Sequence, residues 1–189
     1  MRNKFFSKAL CYRAIFTKMK FFNVNFKGAI LTHCSFKNST FYRVEFLGTN
    51  LKKSNFSNAK FQNCIFSATL LKNTNFTNAD FKNCIFININ ITNAKNMKID
   101  PKNNIVLSTH SMPFIDEELT ILLNTFRFHP KLHNYRVLHL KNGKLNSLTI
   151  QIILSHFTID EFKFKLQSLE TKLNSRIITA YQLLDLLKD

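Results

Sequence analysis

Between Phe16 and Ile91 a large apolar residue stands at every fifth position without a break. The series runs Phe16, Phe21, Phe26, Leu31, Phe36, Phe41, Phe46, Leu51, Phe56, Phe61, Phe66, Leu71, Phe76, Phe81, Phe86 and Ile91. Two places before each, the residue is small or β-branched, as at Val24, Cys34, Ser39, Val44, Thr49, Ser54, Cys64, Thr69 and Thr74, with Met19 the exception. A helix buries positions three and four apart and a strand buries every second one, so this spacing fits neither. A fixed period sustained over so many units marks a repeat solenoid. It demands a chain that turns a corner after each unit and points two side chains per unit inward.

Ser54-Asn55-Phe56-Ser57-Asn58, Thr74-Asn75-Phe76-Thr77-Asn78 and Ala79-Asp80-Phe81-Lys82-Asn83 resemble the units of the pentapeptide-repeat family, whose pattern is small, polar, Phe or Leu, then two variable residues. The resemblance spans residues 16–95. It implies a mainly β solenoid: a right-handed quadrilateral β-helix of about four coils with four units to a coil. The sequence adds its own support. The central residue is not Phe at 31, 51, 71 and 91, which lie twenty apart, so Leu31, Leu51, Leu71 and Ile91 are expected in one column beside a Phe36, Phe56, Phe76 column. Burial of such columns is what stabilises a stack.

Residues 1–15 read as an N-terminal cap or irregular first coil, 96–114 as a linker, and 115–189 as a small helical unit. The repeat is lost at Asn96, and Asp100-Pro101 and Met112-Pro113 mark turns. From Asp116 the period becomes helical: Leu119, Leu122, Leu123 and Phe126 share a face, with Glu117 and Glu118 in the first turn. Thr158 and Glu161 form a capping box ahead of Phe162, Leu166, Leu169 and Leu173. Ser175 is expected to cap a last helix with Ile177, Tyr181, Leu184 and Leu187 inward. Between them, Lys141-Asn142-Gly143-Lys144 reads as a hairpin turn or a helix end, and the residues after it as helix.

Charge is uneven. Residues 1–95 hold fifteen Lys and Arg against Glu45 and Asp80, giving +13, whereas residues 96–189 hold twelve against nine, giving +3. An acidic partner follows from such self-repulsion; a Lys- and Asn-rich composition from an AT-rich genome is the bland alternative. The candidate interaction surface is Arg43, Lys52, Lys53, Lys60, Lys72 and Lys82. A second surface, apolar on its outside, is expected around Leu47, Ile65, Ile85 and Ile87, where either the C-terminal segment folds back or a second copy packs as a homodimer. Asn38, Asn58 and Asn78 form one outward column and Asn55 and Asn75 another, both suited to hydrogen bonding from coil to coil.

Chemistry is sparse. Cys34, Cys64 and Cys84 take the small inward position and are expected as free thiols, the alternative being a disulfide between Cys64 and Cys84, which stack as neighbours twenty residues apart. His129 and His133 are four apart, but Pro130 argues against a metal pair on one helix. No catalytic residues, metal site or cofactor are expected, and the chain reads as a non-enzymatic protein–protein interaction scaffold. The alternative is sequence-independent nucleic-acid binding through the basic faces, although Tyr42 reads as the lone outward aromatic. Some members of the resembled family imitate duplex DNA and bind DNA gyrase, conferring quinolone resistance. That requires an acidic rod, and this one is basic. Others are effectors that bacteria deliver into host cells, for which no delivery signal is legible. No apolar run approaches the about 20 residues that cross a bilayer, so no membrane insertion is expected, and the chain reads as a cytoplasmic, bacterial protein.

Overall fold

A computed structural model describes all residues, 1–189. The chain divides into two compact units, Met1–Thr109 and His110–Asp189. The first is a β-solenoid of about five turns. Its short parallel strands are β1 (Arg2–Phe5), β2 (Leu10–Tyr12), β3 (Lys20–Asn25), β4 (Ile30–Thr32), β5 (Thr40–Leu47), β6 (Lys60–Gln62), β7 (Ile65–Ser67), β8 (Asp80–Lys82), β9 (Ile85–Ile87) and β10 (Ile105–Leu107). Every paired residue lies twenty positions from its partner, from Arg2↔Phe22 to Ile105↔Ile85. The solenoid therefore begins earlier and ends later than the repeat implies. The early turn hid because Cys11 takes the place of Leu at the head of the Leu31, Leu51, Leu71 column.

The corners explain the composition. At every fifth residue from Asn3 to Asn88 the backbone takes positive φ, between +48° and +65°, in eighteen successive units. Only glycine enters this left-handed region freely, and asparagine tolerates it best among the rest. Nine of those residues are Asn and two are Gly28 and Gly48. The corner asparagines thus answer a backbone preference.

Inside, the Phe columns stack ring on ring. Centroids are 4.7 Å apart for Phe36–Phe56 and Phe41–Phe61 and 4.8 Å for Phe21–Phe41, with planes within 9° of parallel. These match the strand spacing of about 4.8 Å, so the backbone ladder sets the stacking distance. Neighbouring columns meet edge to face, as in Phe66–Phe81 and Phe81–Phe86, the arrangement the ring quadrupole favours. Ile91 departs from its column: it opens a short 3-10 turn and is exposed.

The small inward residue has a polar task that its size alone does not disclose. Ser54 Oγ donates to Leu31 O at 2.6 Å and accepts from Cys34 N at 2.9 Å, tying one coil to the preceding one. Ser39 bonds in the same way to Phe16 O and Met19 N. Thr49, Thr69 and Thr74 donate to the carbonyls of Phe26, Phe46 and Leu51. Asn104 repeats the Ser54 pattern near the far end, donating to Phe81 O and accepting from Cys84 N. All four cysteines are free thiols. Burial raises the pKa of Cys64 well above the ordinary thiol value, and a hydrogen bond with Cys84 adds to the shift.

The second unit is helical: α1 (Glu117–Thr125), α2 (Ser147–Leu154), α3 (Ile159–Gln167), α4 (Leu169–Lys172) and α5 (Ala180–Lys188). Asp116 caps α1 by accepting from Leu119 N, and Thr158 with Glu161 forms the expected box on α3. Lys163 links the two, with Nζ 2.7 Å from Asp116 and 2.5 Å from Glu118. Lys141–Lys144 is the turn of a small antiparallel bridge, His139↔Leu145, with Gly143 at φ +80°. The last helix starts later than expected. Thr179, not Ser175, is its cap, and Ile177 is buried ahead of it. Gln182 explains the delay: its amide donates to Arg176 O and accepts from Ile178 N, holding 176–178 in a non-helical turn.

Two substitutions test these assignments by chemical denaturation. Ser54→Ala strands a buried carbonyl and a buried N–H and lowers stability by about 1–3 kcal/mol. Ala68, exposed at φ +48° with no asparagine or glycine to ease the corner, is the opposite case. Ala68→Gly raises stability by about 1 kcal/mol.

Candidate interaction surface

With four units per coil, units two apart occupy opposite sides of the solenoid. This divides the expected basic surface. Lys52, Lys53 and Lys72 flank Leu51 and Leu71 on one face, whereas Arg43, Lys60 and Lys82 flank Phe41, Phe61 and Phe81 on the face opposite. One flat partner cannot cover both sets. All these lysines are exposed, and Arg43 is half-buried.

The Phe21–Phe81 face is a continuous parallel sheet of β1, β3, β5, β6 and β8. Strand alternation turns Lys20, Phe22, Thr40, Tyr42, Lys60, Gln62, Asp80 and Lys82 outward. Tyr42 is not alone there. Phe22 stacks on it with centroids 4.9 Å apart and planes at 19°. Arg2 lies over the Phe22 ring at 4.4 Å, and Arg43 over Tyr42 at 4.6 Å while its Nη2 donates to the Tyr42 hydroxyl at 3.1 Å. The sequence held the signal, because the register that puts Phe21 inside puts Phe22 outside. The twenty-residue spacing then aligns Arg2, Phe22 and Tyr42.

On the Leu31–Leu71 face strand pairing is sparser, limited to β2 with β4 and isolated bridges beyond. Lys52 and Lys72 border a cleft of about 430 Å³ with Leu70, Asn88, Asn90 and Asn93. The Asn column on the third face forms as expected: Asn58 donates to Asn38 Oδ1 at 3.1 Å and Asn78 to Asn58 Oδ1 at 3.3 Å. Its neighbour is built differently. Asn55 accepts from Ser57 N and Oγ, and Asn75 donates to Ser57 Oγ, so serine bridges the two amides. Each Asn spends its carbonyl on a local turn, leaving only its amide for the next coil.

The fourth face is apolar in sequence, yet Ile65, Ile85 and Ile87 are buried and Leu47 half-buried. Glu45, one residue column with Ile65, is also buried and accepts from Asn25 Nδ2 at 2.6 Å.

In the helical unit, His129 and His133 face different partners. His129 Nε2 is 3.3 Å from Glu170 Oε1, and His133 Nδ1 is 2.8 Å from Arg127 O. His139 is buried with Nε2 3.2 Å from Asn124 Oδ1. Burial lowers its pKa below the ordinary imidazole value, and the Arg127 and His133 charges push the same way.

A folded-state pKa below the unfolded one means that the unfolded chain takes up the proton more readily. The helical unit therefore loses stability as pH falls below about 6.5. Urea midpoints measured on either side of that pH should separate less in His139→Gln than in the parent. The lowered carboxyl pKa of Asp116, due first to Lys163, and of Glu161, due first to the Thr158 N–H, act only below about pH 4, where their stabilisation disappears.

A family profile described as "Pentapeptide repeat region" matches residues 34–104. Solved structures similar to the chain include a pentapeptide repeat protein from the thylakoid lumen of Arabidopsis thaliana, 19% identical, covering 64% of this chain and 72% of that one with a TM-score of 0.23. Another is the pentapeptide repeat protein Rfr23 from the cyanobacterium Cyanothece 51142, 22% identical, covering 42% and 65% with a TM-score of 0.17. No curated protein matches the chain. No helix is long and apolar enough to cross a membrane. The family match covers residues 34–104, which carry most of the corners and inward columns of the solenoid.

Proposed function

We propose that this protein is a non-enzymatic scaffold whose basic solenoid docks an acidic protein partner. The observation that carries the reading is the display of Lys and Arg on opposite faces of a stack whose own carboxylates between Met1 and Lys95 are Glu45, buried, and Asp80. The interior is consumed by packing: the Phe and Leu columns and the Ser and Thr bonds leave no polar pocket inside the coils. What the solenoid offers is a rigid outer surface with little conformational entropy to lose on binding.

Fluorescence anisotropy tests this with two labelled probes, a glutamate-rich peptide and a duplex oligonucleotide, at about 50 and 200 mM salt. Binding of the peptide, weakened at the higher salt and stronger than that of the duplex, is expected. No peptide binding at the lower salt rejects the scaffold reading. Preferential duplex binding that falls about a thousandfold between the two salts replaces it with nucleic-acid binding.

A further inference from the structure

We infer that the acidic partner docks on one face only, the β1–β3–β5–β6–β8 sheet carrying the Arg2–Phe22–Tyr42–Arg43 stack, and that the occupant is an acidic polypeptide segment. The inference rests on the scaffold reading and narrows it. Three of the six basic residues picked out by charge alone, Lys52, Lys53 and Lys72, then lie outside the docking surface.

Two observations favour this face over its opposite. It is a continuous parallel ladder, so its outward side chains stand in fixed rows, Lys20–Thr40–Lys60–Asp80 beside Arg2–Phe22–Tyr42–Gln62–Lys82. Its arginines are ordered before any ligand arrives: Arg2 lies over Phe22, and Arg43 lies over both rings while bonding the Tyr42 hydroxyl. A free long side chain loses rotamer entropy when it is fixed, and packing on an aromatic ring removes part of that loss in advance. The opposite face has a single such contact, Arg13 at 5.0 Å over the Tyr12 ring beside His33, and its Lys52, Lys53 and Lys72 are exposed ammonium groups on flexible stems, as are Lys60 and Lys82.

The chemistry of the stack also selects the occupant. Nucleic-acid bases need open aromatic faces on which to stack. Phe22 offers none, with Tyr42 on one face and Arg2 on the other, and Arg43 stands beside both rings at 4.6 Å from Tyr42 and 5.5 Å from Phe22, which leaves one face, that of Tyr42 toward Gln62. A phosphate backbone also needs an unbroken basic track, and Asp80 follows Lys60 directly in its column. A guanidinium held flat against a ring still presents its N–H edge, which suits planar carboxylates. Glu and Asp side chains interspersed with a basic residue opposite Asp80 fit this surface. Gln62 and Thr40 supply neutral hydrogen-bonding groups between the charges.

The experiment uses the full chain and the labelled glutamate-rich peptide at low salt. Lys60→Glu/Lys82→Glu is expected to weaken binding by about tenfold or more, whereas Lys52→Glu/Lys72→Glu changes it by less than about threefold. Tyr42→Ala keeps every charge yet releases Arg43, and is expected to weaken binding as well. Circular dichroism of each variant confirms that the solenoid remains folded. If the parent binds and the Lys60/Lys82 variant binds equally well, the face assignment is wrong while the scaffold reading stands. If the parent ignores the peptide, the scaffold reading itself falls. A single-stranded oligonucleotide that displaces the peptide at lower concentration than unlabelled peptide would overturn the choice of occupant.

Discussion

Everything in the solenoid follows from turning the chain through a corner every fifth residue. The turn requires a left-handed backbone conformation, which for an L-residue costs roughly 1–2 kcal/mol. Asn and Gly reduce that cost at most corners. Lys8, Arg13, Lys18, His33, Arg43, Lys53 and Ala68 bear it in full. What compensates is the pairing of every coil with the next. Backbone ladders, stacked rings and Ser or Thr side chains bridging coils all act at the same spacing of about 4.8 Å. A corner in isolation is unfavourable, and it persists because the coils on both sides share the same register.

That mutual dependence also fixes where the charges go. Inward positions belong to rings and small hydrogen-bonding groups, so lysine and arginine appear at outward and corner positions, repeated at short intervals up the stack. Like charges in adjacent coils repel. The sequence dilutes the repulsion by interleaving neutral residues, as in Lys20–Thr40–Lys60 and Arg13–His33–Lys53–Asn73. Arg2, Arg13 and Arg43 in addition each lie over an aromatic ring.

The solenoid was legible because its period is one that no helix or strand produces. Its ends were not, because the rule was read from one column of large residues. Cys11 and Val106 keep the twenty-residue register without matching that column's usual residue, and the register is what the hydrogen bonds follow. The helical caps at Asp116 and Thr158 were legible from local chemistry, since a cap needs only its own turn. The Thr179 cap was not, because it depends on Gln182 folding back onto Arg176 and Ile178. The basic residues were legible as a set but not as two faces, because composition carries no direction.

Direction is the step that converts this fold into a candidate interaction device. Around a four-sided coil, adjacent five-residue units face ninety degrees apart, and residues twenty apart point the same way. A surface on such a stack is therefore written as a column in the sequence, one letter per coil. The Arg2–Phe22–Tyr42 column shows how much this changes the reading. In linear order those residues are unrelated, and Phe22 is merely the neighbour of a core phenylalanine. In the folded chain they form one stack with Arg43 against it. Recognition on this solenoid is thus confined to what a single face can display, and a partner must be matched to rows of side chains at ladder spacing. The acidic partner proposed above would be drawn by net charge, but only the rows could hold it in one orientation.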